Sequence, residues 1–122
     1  MILTLPDYHC DPSKIDFTIE SIVNLNIHDY PTINKYGTKR WFNSEGELHR
    51  ENGPAVIRIG GAQSYWRNGC RHRENGPAVI YSNGDIEYFQ NNKLHREDGP
   101  AIIHTDGREQ YFQNGIEIKK EG

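Results

Sequence analysis

LHRENGPAVI at residues 48–57, RHRENGPAVI at 71–80 and LHREDGPAII at 94–103 are three copies of one block. The interval is fixed: His49, His72 and His95 lie 23 apart, as do Gly53, Gly76 and Gly99, and Pro54, Pro77 and Pro100. Each block contains an imidazole, a guanidinium and a carboxylate, the raw material of an active site. Each also contains Gly and Pro, the raw material of a turn. Self-similarity at one period is the signature of a repeat architecture and takes precedence over any single-site reading.

Working outward, Tyr65, Tyr88 and Tyr111 keep the same interval, and Gly61, Gly84 and Gly107 each stand four residues before one of them. Gly37 and Trp41 share that offset, with one extra residue in the following turn, NSEGEL against QNNKL. Aromatic pairs recur at Trp41-Phe42, Tyr65-Trp66, Tyr88-Phe89 and Tyr111-Phe112. Asn-Gly or Asp-Gly begins at 52, 68, 75, 83, 98, 106 and 114. These dipeptides accept the positive φ of tight turns. The short segments between them are rich in Val, Ile, Tyr, Phe and Trp, as strands are. The expected fold is all-β, an elongated array of antiparallel β-hairpins over residues 31–122. Alternation places Ala78 and Ile80 on one face and Val79 and Tyr81 on the other. It splits each aromatic pair across both faces, so one column lines the core seam and the other is covered or exposed.

Residues 1–30 differ. Asp11, Pro12 and Ser13 resemble a helix start. Ile15, Phe17, Ile19, Val23, Leu25 and Ile27 instead share a period-2 face, so residues 12–27 read as helix or strand, with strand favoured. In either form the segment is expected to cap the array and protect its edge.

Composition narrows the function classes. Of 122 residues, 34% are hydrophobic, which suits a thin architecture; two Trp, seven Tyr and four Phe argue against disorder. A formal net charge of −3 speaks against duplex binding through phosphate neutralisation. No stretch approaches the roughly 18 apolar residues of a membrane span. The first residues lack the basic and apolar regions of a signal peptide, so a cytoplasmic protein is expected. Cys10 and Cys70 supply neither a disulfide framework nor metal spacing.

The 23-residue period, the Y-[WF]-x-N-G turn and the G-x-x-x-[YW] approach resemble MORN repeats, in the divergent H-R-x-x-G-P-A form found in bacterial, phage and giant-virus proteins. The resemblance covers residues 31 to 118. It implies rows of β-hairpins and non-catalytic binding of proteins or lipids. Gly-Pro-Ala in place of Gly-x-Gly, and the absence of a large Lys/Arg cluster, turn the expectation away from lipid.

Repeating histidines cannot share a metal. Two strands per unit at about 4.8 Å set equivalent atoms roughly 10 Å apart, whereas zinc ligands lie within about 2.1 Å of the ion. No metal or cofactor is expected. Three near-identical copies also lack the asymmetry that catalysis needs. Each arginine of the Arg-Glu pairs 50-51, 73-74 and 96-97 is expected to reach the neighbouring unit's glutamate.

The second unit stands apart. Arg71 replaces the leucine of positions 48 and 94, and Cys70 occupies a position filled elsewhere by Glu47 and Lys93. Those polar counterparts predict an exposed cysteine, and Arg67, Arg71 and Arg73 favour its thiolate. The expected function is non-catalytic recognition of another protein, one with an acidic surface, by a stoichiometric adaptor or inhibitor. A phage-encoded inhibitor of a host protein is an instance the resemblance implies. The expected contacts are Tyr65, Tyr88, Tyr111, Arg67, Arg71, Arg73 and Cys70. Two alternatives stay open: single-stranded nucleic acid stacked on aromatics and arginines, and self-assembly through open hairpin edges.

Overall fold

The computed structural model describes residues 30–119, and the expected cap, with its helix-or-strand choice, lies outside them. The described residues are all-β and antiparallel. Nine strands form one sheet in the order β1 (Thr32–Ile33), β2 (Lys39–Arg40), β3 (Val56–Ile57), β4 (Gln63–Ser64), β7 (Val79–Ile80), β8 (Ile86–Glu87), β11 (Ile102–Ile103), β12 (Glu109–Gln113) and β13 (Ile116–Ile118). Two further pairs, β5 (Trp66–Arg67) with β6 (Cys70–Arg71) and β9 (Phe89–Gln90) with β10 (Lys93–Leu94), form separate hairpins.

The two sets are tiers of the same units. A strand enters the nine-stranded sheet as β4, turns at Tyr65 and continues into a hairpin as β5; Tyr88 divides β8 from β9 in the same way. At the joint no backbone group is wasted. The Tyr65 amide donates to Ala78 at 2.6 Å, and its carbonyl accepts from the His72 amide at 3.1 Å. Tyr88 repeats this with Ala101 and His95. The hairpin tier is stitched together by backbone bonds from Gly69 to Leu48, Asn92 to Arg71 and Gly115 to Leu94. A single row of hairpins is therefore too simple a description, because each aromatic-bearing strand serves both tiers.

The turns divide by chemistry. Asn68-Gly69, Asn91-Asn92 and Asn114-Gly115 have positive φ at both central residues, from 49° to 83°. That is the two-residue hairpin turn whose twist matches the strands. The opposite turns, at 34–37, 58–61, 81–84 and 104–107, close with Gly at the last position donating to the first carbonyl. In these turns only the closing glycine, Gly37, Gly61, Gly84 or Gly107, takes positive φ. The Asn-Gly and Asp-Gly steps at 52, 75 and 98 are not tight turns of this kind. Gly53 and Gly99 lack positive φ, and the reason for glycine there is steric. A Cβ on Gly53, Gly76 or Gly99 would stand about 3.0 Å from the guanidinium carbon of Arg50, Arg73 or Arg96.

The core is thin. Ala55, Ala78 and Ala101 are wholly buried, and Trp41, Leu48, Val56, Phe89 and Ile102 nearly so. Neither aromatic column is the core seam alone: Trp41 comes from the first and Phe89 from the second, while Tyr65, Trp66 and Tyr88 are half-buried.

A left-handed asparagine yields a direct test of the hairpin tier. Val at position 91 would meet the steric cost of φ 51° with a branched side chain. Asn91→Val is expected to lose about 1–2 kcal/mol in urea unfolding, while Asn91→Gly stays near wild type. Equal losses would mean that the asparagine side chain, not the backbone angle, matters.

Candidate functional site

The His-Arg-Glu-x-Gly-Pro-Ala block resolves into three interlocked contacts. Each arginine lies over the first aromatic of its own unit: Arg50 over Trp41 at 3.8 Å, Arg73 over Tyr65 at 3.9 Å, Arg96 over Tyr88 at 4.0 Å. Each donates an Nη1–H to the proline carbonyl four residues on, at 3.1 Å, for Pro54, Pro77 and Pro100. The glycine before that proline gives the guanidinium room. The expected arginine-to-glutamate ladder between units does not form. Stacking on the ring and bonding the carbonyl hold the guanidinium inside its own unit.

The glutamates turn to histidine instead. His49, His72 and His95 Nε2 meet Glu51, Glu74 and Glu97 at 2.8, 3.1 and 3.4 Å. Their Nδ1 atoms accept from the backbone N–H of Asn68, Asn91 and Asn114, the left-handed residues of the next unit's turn. An Nδ1 that accepts leaves the proton on Nε2, which donates to the carboxylate. His104 is likewise held on both nitrogens, by Asp85 at 3.2 Å and Gln110 at 3.4 Å. Every histidine among the described residues thus has both ring nitrogens occupied. Among them no three His, Cys, Asp or Glu gather to hold a metal ion.

The arginines of the second unit fall on different sides. Trp66 pairs with Arg71 and Arg67 with Cys70 across β5–β6, so alternation puts Arg71 on one face and Arg67 with Cys70 on the other. Arg73 lies over Tyr65. One ring face of Tyr65 and of Tyr88 is covered by its own arginine, and the Tyr111 hydroxyl donates to Glu109 at 3.4 Å. Cys70 is neither exposed nor a thiol: it is fully buried and disulfide-bonded. The chain's other cysteine, Cys10, lies outside the described residues. The covalent bond closes a position that is exposed at Lys93 and Ile116. Structural disulfides persist mainly in oxidising compartments, which stands in tension with a cytoplasmic location.

Arg71 lies among aromatic side chains and beside a cavity. Its guanidinium covers Phe89 at 4.2 Å and lies 5.9 Å from Trp66, and its Nε–H donates to Asn92 at 2.8 Å. Beside it opens a cavity of about 270 Å³, floored by Val56 and Val79 and edged by Arg58, Trp66, Arg71 and Tyr81. Register explains this grouping. Val56, Ser64 and Val79 are cross-strand partners, and Arg58, Trp66 and Tyr81 follow two residues on, facing the same way. Ser64 accepts from the Trp66 indole at 2.7 Å. Its short side chain stands where later units carry Glu87 and Gln110, which leaves the space open. Tyr81 is 44% exposed. Burial first, and then the Glu87 carboxylate that its hydroxyl donates to at 3.1 Å, hold its phenol above the usual value.

Trp66, Tyr81, Arg58 and Ser64 are absent from the sequence-based contact set. The signal that finds them is divergence between units: these positions change from copy to copy while the block itself does not.

The neighbouring turn carries a pH dependence. The Thr105 backbone N–H, and then His104, hold the Asp85 carboxyl below its ordinary 3.8. A depressed folded value stabilises the protein above the unfolded value, and the benefit is lost as pH falls through the folded one. Asp85→Asn is therefore expected to unfold earlier than wild type in urea near neutral pH, with the gap closing below pH 3.8. A gap independent of pH would exclude the carboxylate as its source.

No protein-family model, curated protein or solved structure matches the chain. No helix among the described residues is long and apolar enough to cross a membrane.

Proposed function

We propose that this protein is a MORN-like array of 23-residue units that recognises another protein without catalysis, as a stoichiometric adaptor or inhibitor. The observation that supports this most is the contrast between two sets of polar groups. The repeated His, Arg and Glu are engaged in contacts within each unit, and the histidines also bond to the next one. Arg58 and Arg71 instead edge an open cavity with Trp66 and Tyr81, and no carboxylate among the described residues pairs with either. Aromatic and arginine side chains around a desolvated pocket are the usual carriers of binding energy at protein interfaces. Each histidine among the described residues has a partner at both ring nitrogens.

The test is affinity capture from nuclease-treated extract by the oxidised full chain, beside Tyr81→Ala/Arg71→Leu with an unchanged circular dichroism spectrum. One protein retained in stoichiometric amount by wild type and not by the variant is the expected result. No retained protein would remove the reading. Self-association is a second reading, favoured by β13, an edge strand exposed along its length with Ile116 at 71%. A mass that rises with concentration would support it.

A further inference from the structure

We infer that the cavity beside Trp66 is a socket for a single carboxylate, the side chain of an aspartate or glutamate flanked by apolar residues in the partner protein. This rests on the recognition reading and specifies what its site takes.

The electrostatics choose the ligand. Arg58 and Arg71 edge the cavity, and Arg40, the cross-strand partner of Val56, lies on the same face. A guanidinium presents donors in a planar fork that matches a carboxylate. Arg71 is held in place before any ligand arrives, by its bond to Asn92 and its seat over Phe89. Pre-placement reduces the ordering cost of binding. Val56 and Val79 in the cavity lining suit the flanking apolar side chains.

The same face also limits the charge it will accept. Glu87 holds the Tyr81 hydroxyl at the rim, and Asp85 acts on that phenol through its charge. A dianionic phosphate, or a polyanion such as nucleic acid or an acidic membrane, would face these carboxylates beside only two arginines at the cavity edge. A monoanion meets less of that repulsion. Substituting leucine for Arg71 reproduces the residue already present at positions 48 and 94, so the fold has a ready solution for the change.

The experiment is a proton–nitrogen NMR titration of the oxidised full chain, read at the Trp66 indole N–H. The probes are the blocked peptides acetyl-Leu-Asp-Leu-amide and acetyl-Leu-Asn-Leu-amide, with inorganic phosphate as a third arm. The expected result is saturable movement with the aspartyl peptide at a dissociation constant on the order of 1 mM. Binding should be roughly 10-fold weaker for the asparaginyl peptide. The response should vanish in Arg71→Leu and persist in Arg108→Leu. Equal response to both peptides, tighter binding of phosphate, or no response would each overturn the carboxylate socket. The recognition reading fails separately: it fails when affinity capture yields no partner. A partner still held by Arg71→Leu would leave recognition standing and the socket refuted.

Discussion

His72→Ala is expected to lower the unfolding free energy by about 2–3 kcal/mol, the larger of two central effects. His72 is 6% exposed, and its ring joins two units by accepting from Asn91 and donating to Glu74. Alanine removes the packed ring and both bonds. His95→Ala should lose less, because its partner Glu97 is 81% exposed and the interaction is screened by water. Urea unfolding followed by tryptophan fluorescence reads both. A loss below about 1 kcal/mol at position 72 would mean that the histidine bridge does not tie units together, and equal losses at the two sites would mean that burial does not set the size of the effect.

Arg73→Ala follows, with an expected loss of about 2 kcal/mol. The guanidinium sits 3.9 Å over Tyr65 and bonds the Pro77 carbonyl. Lysine should recover less than half of this. An ammonium is a compact charge without the planar group that stacks on the ring and reaches the carbonyl together. Full recovery by Arg73→Lys would show that charge alone matters at this position.

These two side chains also show how far the residues could be read before the structure. The recurrence of the block pointed to architecture, and its side chains do make repeated contacts within and between units. The partners were not legible. Arginine and the aromatic it covers are eight or nine residues apart, separated by a hairpin whose tier no local pattern announces. The adjacent glutamate offered a more obvious partner by charge, but a ring face, a carbonyl and a glycine compete for the same guanidinium and win. Asn-Gly illustrates the same limit. At 68 and 114 the pair makes the positive-φ turn that its chemistry favours. At 52 and 75 glycine answers to the arginine above it. Alternation correctly put Val79 and Tyr81 on one face, and this face holds the cavity. Cys70 misled because two of its counterparts, Glu47 and Lys93, are polar, and a disulfide leaves no trace in local sequence.

The candidate site emerges from departures rather than repeats. Arg71 for leucine, Ser64 for Glu87 and Gln110, and Tyr81 for Arg58 and His104 are changes that the packing does not demand. Together they open one cavity in the second unit.

The most direct test of recognition through this face is hydrogen–deuterium exchange of the oxidised full chain, alone and bound to its captured partner. The account predicts slowed exchange in segments 56–58, 64–67, 70–71 and 79–81, with little change around Pro54, Pro77 and Pro100. Protection confined to the proline turns and to β13, with the cavity segments unchanged, would contradict it.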